Sequence, residues 1–278
     1  MQLESHFVIE ASCGLTAADF IAAQTDLPKA RVKDAMNKGA VWLKRGKRPQ
    51  TRLRRAKAEL FARDELHVYY DDEVLKRIPG DPRVIEDLDA YSVWYKPAGV
   101  LSQGTEWGDH CSILRMAEQA CDSTREMYLV HRLDREASGL MLIAHHRRAA
   151  ADLSKLFEDR KVEKAYRVEV LGKAGELGEK RTINAALDGK EAITHFEVEK
   201  FNDYINASTL LVSIDTGRKH QIRRHLAAIG HPVMGDPLYG EGNKNRDGMQ
   251  LKCIALTFRC PLSGGIRRFT LDDKNSGE

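Results

Sequence analysis

The chain has 278 residues, a formal net charge of +3 and 42% hydrophobic content, enough to bury an ample core in one large or two unequal domains. No apolar run is long enough to span a membrane, and Met1–Ser5 lacks the basic-then-apolar pattern of a signal peptide. Five cysteines, at 13, 111, 121, 253 and 260, are odd in number and include no Cys-x-x-Cys, which argues against a disulfide framework or a zinc ribbon and fits a reducing, cytoplasmic setting.

The charge is unevenly spread. Between Lys29 and Lys57 twelve Lys and Arg stand against one acid, Asp34, so that stretch carries +11 and the rest of the chain −8. A cationic module joined to an otherwise acidic protein points to a polyanion partner met first through that module. Nucleic acid accounts for so dense a charge better than a merely solvated basic face does.

In chain order, Thr16 and Asp19 predict a capped helix start, with Phe20 and Ile21 on its apolar side. Pro28 suits the first turn of a second helix, whose Val32, Ala35 and Met36 form a buried stripe and whose end is Gly39. Lys29 and Lys33 share one side of it, with Arg31 and Lys38 around the rim. Val41–Leu43 reads as a short strand with Trp42 in the core, Lys44 to Arg48 as a basic turn, and Leu66–Tyr70 as another strand. The charged stretch after Asp71 holds Pro79-Gly80-Asp81-Pro82, a breaker cluster that marks a domain junction. No internal repeat or low-complexity tract is present.

Tyr91–Tyr95 is β-rich and ends in Lys96-Pro97-Ala98-Gly99, a strand end and tight turn. Ile113–Ala120 reads as a helix. His131-Arg132-Leu133-Asp134-Arg135-Glu136-Ala137-Ser138-Gly139 is a charged turn that feeds Leu140–Ala144, an apolar run expected to be buried on both faces. Asp134 stands at the mouth of that strand between two arginines, where nearby positive charge favours the ionised carboxylate that a nucleophile or general base requires. On spacing alone the simpler reading is an Asp capping a turn among surface arginines.

Leu153, Leu156 and Phe157 sit at helical spacing within Arg147–Arg160. Lys164–Val170 alternates as a strand, in which Tyr166 alone would read as a cross-strand packing residue. Ala192–Phe201 and Ser208–Asp215 predict two more strands. The segment from Thr216 opens a helix with Ile222, Leu226 and Ile229 on its buried side, ended by Gly230-His231-Pro232. Arg218, Lys219 and the free N–H groups of its first turn make a phosphate site. His220 and His225 are five apart, not the four that places two metal ligands on one helix face. No metal is therefore assigned, and a histidine in this helix is read as hydrogen-bonded and structural. Leu251–Phe258 and Ile266–Thr270 close the sheet, and the polar tail after Leu271 is expected to be mobile.

The residues His131-Arg132-Leu133-Asp134, the Ser138-Gly139 pair and the strand after them closely resemble the signature of the RluA-type pseudouridine synthases, with Ala137 in place of the usual Thr. The Lys96-Pro97 turn resembles the family's opening motif, with Tyr95 in place of Asn. Lys164-Ala165-Tyr166 resembles its Lys-x-Tyr, and Gly217-Arg218-Lys219-His220-Gln221-Ile222-Arg223-Arg224-His225 with Gly230-His231-Pro232, Gly235-Asp236 and Tyr239-Gly240 its C-terminal block. The resemblance implies Asp134 as the catalytic residue and Arg132 as the side chain that enters the RNA helix. It further implies Tyr166 stacked on the target uracil and Arg223 paired with Asp134. It implies an α+β fold, a mixed, mainly antiparallel sheet with flanking helices, and isomerisation of uridine in ribosomal or transfer RNA without cofactor.

Residues 14 to 70 resemble the αL-type RNA-binding module of a ribosomal small-subunit protein, a small α/β domain. Its RNA contacts are expected at Lys29, Arg31, Lys33, Lys44, Arg45, Lys47 and Arg48, with Arg218 and Lys219 added from the later phosphate site. The expected organisation is an RNA-binding domain at 1–75, a linker at 76–90 and a catalytic domain at 91–278, in a cytoplasmic monomer with no obligate protein partner. The competing reading is a non-catalytic RNA-binding or ribosome-associated factor on the same fold. A retaining glycosidase would need a second carboxylate beside Asp134, and Glu136, the nearest acid, has no reason from sequence to face the same pocket.

Overall fold

The computed structural model describes residues 1–11, 14–121, 125–240 and 247–271; Cys13 and the polar tail after Leu271 lie outside them. Spatial proximity divides the chain into two units, Met1–Pro79 with Gln103–Met116, and Gly80–Ser102 with Ala117–Glu278. The sequence boundaries at 75 and 91 therefore do not describe contiguous bodies, because the Gln103–Met116 segment joins the N-terminal unit.

In the first unit, strands β1 (Gln2–Val8), β2 (Val41–Arg45), β3 (Thr51–Arg52) and β4 (Asp64–Asp71) form an antiparallel sheet ordered β1-β4-β2-β3. Helices α1 (Ala17–Thr25) and α2 (Lys29–Asn37) precede β2, and a short α3 (Asp72–Leu75) follows β4. Thr16 caps α1 by accepting from the Asp19 N–H and donating to its carboxylate, the capping arrangement expected. Pro28 occupies the cap position of α2, and Val32, Ala35 and Met36 are buried. Gly39 has φ +81 and returns its N–H to Met36, the left-handed residue that ends a helix without steric cost. β1 escapes a periodicity reading because its half-buried residues, Leu3, Ser5 and Phe7, mix polar with apolar. Trp42 is not in the core. It is half-buried, donates its indole N–H to the Glu106 carbonyl at 3.0 Å and lies under the Arg52 guanidinium at 4.2 Å.

The second unit holds β5 (Arg83–Asp87), β6 (Tyr91–Lys96), β7 (Tyr128–Leu129), β8 (Ser138–Ala144), β9 (Glu163–Leu171), β10 (Lys180–Asn184), β11 (Ile193–Asn202), β12 (Ala207–Ile214), β13 (Leu251–Arg259) and β14 (Ile266–Thr270). They form a ten-stranded sheet ordered β10-β11-β12-β9-β13-β8-β6-β5, with β14 added to β13 and β7 to β8. Every pairing is antiparallel except β8 with β13. Three helices accompany the strands: α4 (Ile113–Ala120), whose sequence spans the point where this unit resumes, α5 (Arg147–Glu158) and α6 (Gln221–Ala228). The fold is α+β with a mixed, mainly antiparallel sheet.

All seven residues of β8 are buried, and Leu140 and Leu142 share one core with Leu153, Val168, Val170, Leu210, Val212 and Leu226. Gly139 is required where β8 meets β13. Its φ is +118, and a Cβ there would come within 2.2 Å of the Cys253 carbonyl oxygen. The expected linker contains β5, which pairs with β6, so the breaker cluster precedes a strand of the sheet. Ile229 is 39% exposed, outside the buried stripe of Ile222 and Leu226, because α6 ends at Ala228 and Ile229 is its cap.

Candidate active site

The turn that carries Asp134 is held from behind by three anchors. The Ser102 hydroxyl donates to the Leu133 carbonyl at 2.6 Å and accepts the Leu133 N–H at 3.0 Å. Gly99 N–H donates to the Arg135 carbonyl at 2.8 Å. Lys96, fully buried, directs its amino group at four carbonyls, those of Ala137 (2.6 Å), Val100 (2.7 Å), Pro97 (3.1 Å) and Arg135 (3.2 Å). Burial pushes the Lys96 pKa down to about 7, against the attraction of the Glu136 and Asp134 carboxylates. The sequence marks Lys96-Pro97 as a structural turn, and the structure adds that the lysine clamps the Asp134 loop. A charged residue at the end of an otherwise buried strand was the available signal.

His131 opens this segment as a neutral packing residue. Its Nε2 accepts the Leu142 N–H at 2.9 Å and its ring stacks on Phe157, while burial, with Lys164 nearby, pushes its pKa down to about 3.

Arg223 projects from α6 with 1% exposure. Its Nη1 donates to Asp134 Oδ2 at 3.0 Å, while Nε and Nη2 grip both oxygens of Asp236 at 2.7 and 2.8 Å. Desolvation opposes its charge, but its hydrogen bonds to Asp236 and Asp134 outweigh it and hold its pKa above the ordinary arginine value. Burial would raise the Asp236 pKa, yet the Arg223 hydrogen bonds and the N–H groups of Leu238 and Tyr239 keep it low. Asp236 thus fixes the guanidinium plane and leaves one edge for Asp134, a role that sequence reasoning did not assign. The pair Asp134–Arg223 links residues 89 apart in sequence.

Tyr166 lies on β9 between Val212 and Cys253 of the flanking strands and is 7% exposed. Burial, then the fields of Cys253 and Asp134, hold its phenol well above the ordinary value, so the hydroxyl stays protonated. His220, a second unassigned neighbour, adopts a left-handed φ of +55 at the cap of α6. Its Nδ1 meets the Tyr239 hydroxyl at 3.0 Å and its Nε2 lies 3.9 Å from Asp134 Oδ1. His225 is buried with its nitrogens on Thr194 and Ala185, a structural, hydrogen-bonded histidine. Arg132 is exposed and has no ion-pair partner among the described residues. Glu136 is taken by Arg135 at 2.7 Å.

The remaining cations named from sequence separate into paired and unpaired. Lys29 pairs with Asp19, Arg31 with Asp72, Lys44 with Glu65 and Arg45 with Asp64. Arg52 and Arg54 of the same basic stretch share Asp109. Lys33, Lys47 and Arg48 are exposed without an ion-pair partner among the described residues. The +11 of the stretch is therefore partly neutralised by acids brought in from elsewhere in its unit. Arg218 donates to the Glu191 carbonyl at 2.9 Å, Lys219 is exposed, and the Gln221 side-chain oxygen takes the Arg218 N–H. The start of α6 is thus partly satisfied from within.

Fold and site define an α+β protein whose polar centre is one carboxylate held by a buried arginine at the mouth of a mixed sheet. The sequence profile described as RNA pseudouridylate synthase matches residues 90–228. The dual-specificity RNA pseudouridine synthase RluA of Vibrio vulnificus is 32% identical over 211 residues, covering 68% of this chain and 83% of that protein. The ribosomal large subunit pseudouridine synthase D of Nitrosomonas europaea is 42% identical over 175 residues, 57% of this chain and 49% of that one. The chain belongs to the RNA pseudouridylate synthase family. It spans about half the length of several of its relatives, as with the uncharacterized RNA pseudouridine synthase YhcT of Bacillus subtilis, 34% identical over an alignment of 166 residues, with 54% of each chain covered. Human RNA pseudouridylate synthase domain containing 1 shares the fold, with a TM-score of 0.60 at 23% identity over 71% of this chain and 86% of that one. Among the described residues no helix is long and apolar enough to cross a membrane.

Proposed function

We propose that this protein isomerises specific uridines to pseudouridine in a structured RNA. The observation that carries the reading is the convergence of Asp134 with Arg223 at 3.0 Å, beside a buried, protonated Tyr166 that feels the Asp134 charge. Asp134 and Arg223 come from segments 89 residues apart. In the proposed reaction the glycosidic bond is cleaved, the uracil turns in place, and its carbon 5 joins the sugar. No redox or phosphoryl step is involved, so the residues need no cofactor. Extruding the base costs roughly a few kcal/mol of lost stacking. The exposed Arg132, with no ion-pair partner among the described residues, is suited to fill the vacated space and offset that cost. Asp134 acts on the sugar or the base, Arg223 orients it, and Tyr166 packs against the detached ring.

In this reading residues 1–75 bind the RNA in the manner of an αL-type module. Lys33, Lys47 and Arg48 lead the contacts, and Lys219 adds a second phosphate contact. Ribosomal RNA is the first substrate to test, because the Nitrosomonas europaea relative is named for the ribosomal large subunit; transfer RNA is the second. The protein acts as a monomer in the cytoplasm.

The test is a transcriptome-wide pseudouridine map from cells with the gene, without it, and with Asp134→Asn in its place. Sites lost in both altered strains are the expected result. A map unchanged by deletion would overturn the reading, and sites retained with Asp134→Asn would remove Asp134 from the chemistry.

A further inference from the structure

The first unit carries a cluster of ligating side chains that the proposed reaction does not use. β1 and β4 run antiparallel with His6 opposite His67, and Glu65, two residues before His67, shares its face of the sheet. One ligand atom from each of the three lies within 4.8 Å of the others. His6 Nε2 stands 3.8 Å from Glu65 Oε2. The imidazoles stack with centroids 4.2 Å apart and planes 20° from parallel. Binding one ion turns the rings out of this stack, because lone pairs lying in near-parallel ring planes do not converge.

We infer that His6, His67 and Glu65 bind one divalent transition-metal ion through two imidazole nitrogens and one carboxylate oxygen, with water completing a four-coordinate shell. Two nitrogens and one oxygen suit zinc and its neighbours, whereas calcium and magnesium favour all-oxygen shells. Among the described residues neither ring nitrogen of His67 has a hydrogen-bond partner, and the Tyr69 ring lies nearly parallel to it with centroids 6.5 Å apart. Lys44 occupies Glu65 Oε1 at 2.8 Å and leaves Oε2 toward His6. The Lys44 ammonium on Glu65 opposes a second cation there, and Glu4, on the same face of β1 as His6, adds a carboxylate. Metal–nitrogen bonds of about 2.0–2.1 Å require the ligand atoms to draw closer, a motion open to His6 and Glu65, whose side chains are 49% and 31% exposed. The ion would cross-link the edge strand β1 to β4 and stabilise the folded unit by mass action.

The test uses the full chain stripped with chelator and titrated with Zn(II) by calorimetry, with Co(II) as the spectroscopic probe. Expected are one Zn(II) per chain, the d–d absorption of four-coordinate Co(II), and a higher thermal transition in saturating Zn(II). His6→Ala and His67→Ala should each weaken binding by more than the roughly 10–100-fold lost with an outer-shell partner, with circular dichroism unchanged. Glu65→Gln should weaken it less than either. Absence of saturable binding to the full chain, or wild-type affinity in folded His6→Ala and His67→Ala, would overturn the site.

Discussion

At the scale of single residues, the polar centre is a chain of dependence from Asp236 through Arg223 to Asp134. Asp134→Asn keeps shape and removes charge. It is expected to lower turnover by about 10²–10⁴-fold or more while RNA affinity stays near wild type, as single-turnover kinetics and filter binding would show. Arg223→Lys keeps charge but cannot hold both oxygens of Asp236 and reach Asp134 as a planar fork does. Its turnover should fall between wild type and Arg223→Met, and equal rates in the two variants would mean that the guanidinium only packs. Lys96 makes a pH-dependent contribution. Its folded pKa is pushed down to about 7, so between pH 7 and the ordinary lysine range the unfolded chain binds a proton that the folded chain does not. Stability from this group therefore rises with pH across that window and is lowest below pH 7. Lys96→Met should remove that slope. It should also leave buried carbonyls without donors, at about 1–3 kcal/mol for each unsatisfied group; denaturant titrations of both proteins at several pH values measure the two effects.

At the scale of elements, β8 is the axis of the catalytic unit, antiparallel to β6 on one side and parallel to β13 on the other. The close approach to β13 depends on Gly139, whose missing side chain lets the Cys253 backbone in. Gly139→Ala adds a Cβ against backbone that cannot turn aside, at a φ that L-residues avoid. The expected loss is about 3 kcal/mol or more, at or beyond the top of the roughly 1–3 kcal/mol range of ordinary overpacking. Urea unfolding with unchanged stability would show that β8 and β13 separate easily at this point. The same strand ends feed the Asp134 turn, so activity should fall with stability in this variant.

At the scale of the whole molecule, the distribution of charge matters more than its sum. Acids from outside the basic stretch neutralise several of its cations, and its exposed remainder includes Lys33, Lys47 and Arg48, three of the expected phosphate contacts. Replacing all three by Gln should lower the slope of log K against log salt by about 0.7–0.9 for each phosphate that is no longer neutralised. A wild-type slope would place the RNA elsewhere. This variant is a cleaner probe than removing residues 1–75, because Gln103–Met116 packs within the same unit and truncation would strip its partners.

Much of the architecture is local and therefore legible in the chain. The Thr16 cap, the stripe of Val32, Ala35 and Met36, the apolar run of β8 and the alternation of β9 each report burial over a few residues, which periodicity encodes. Asp134, Tyr166 and Arg223 stand out through motifs, since their neighbours in sequence carry the resemblance. Tertiary structure alone decided that Asp236 grips Arg223, that Lys96 lies beneath the Asp134 turn, that Trp42 is half-buried and that Gln103–Met116 belongs with the first unit. It also decided which cations are spent on ion pairs. These are contacts between residues far apart in sequence, set by strand order and by which buried polar group has no other partner, and neither quantity leaves a periodic trace along the chain.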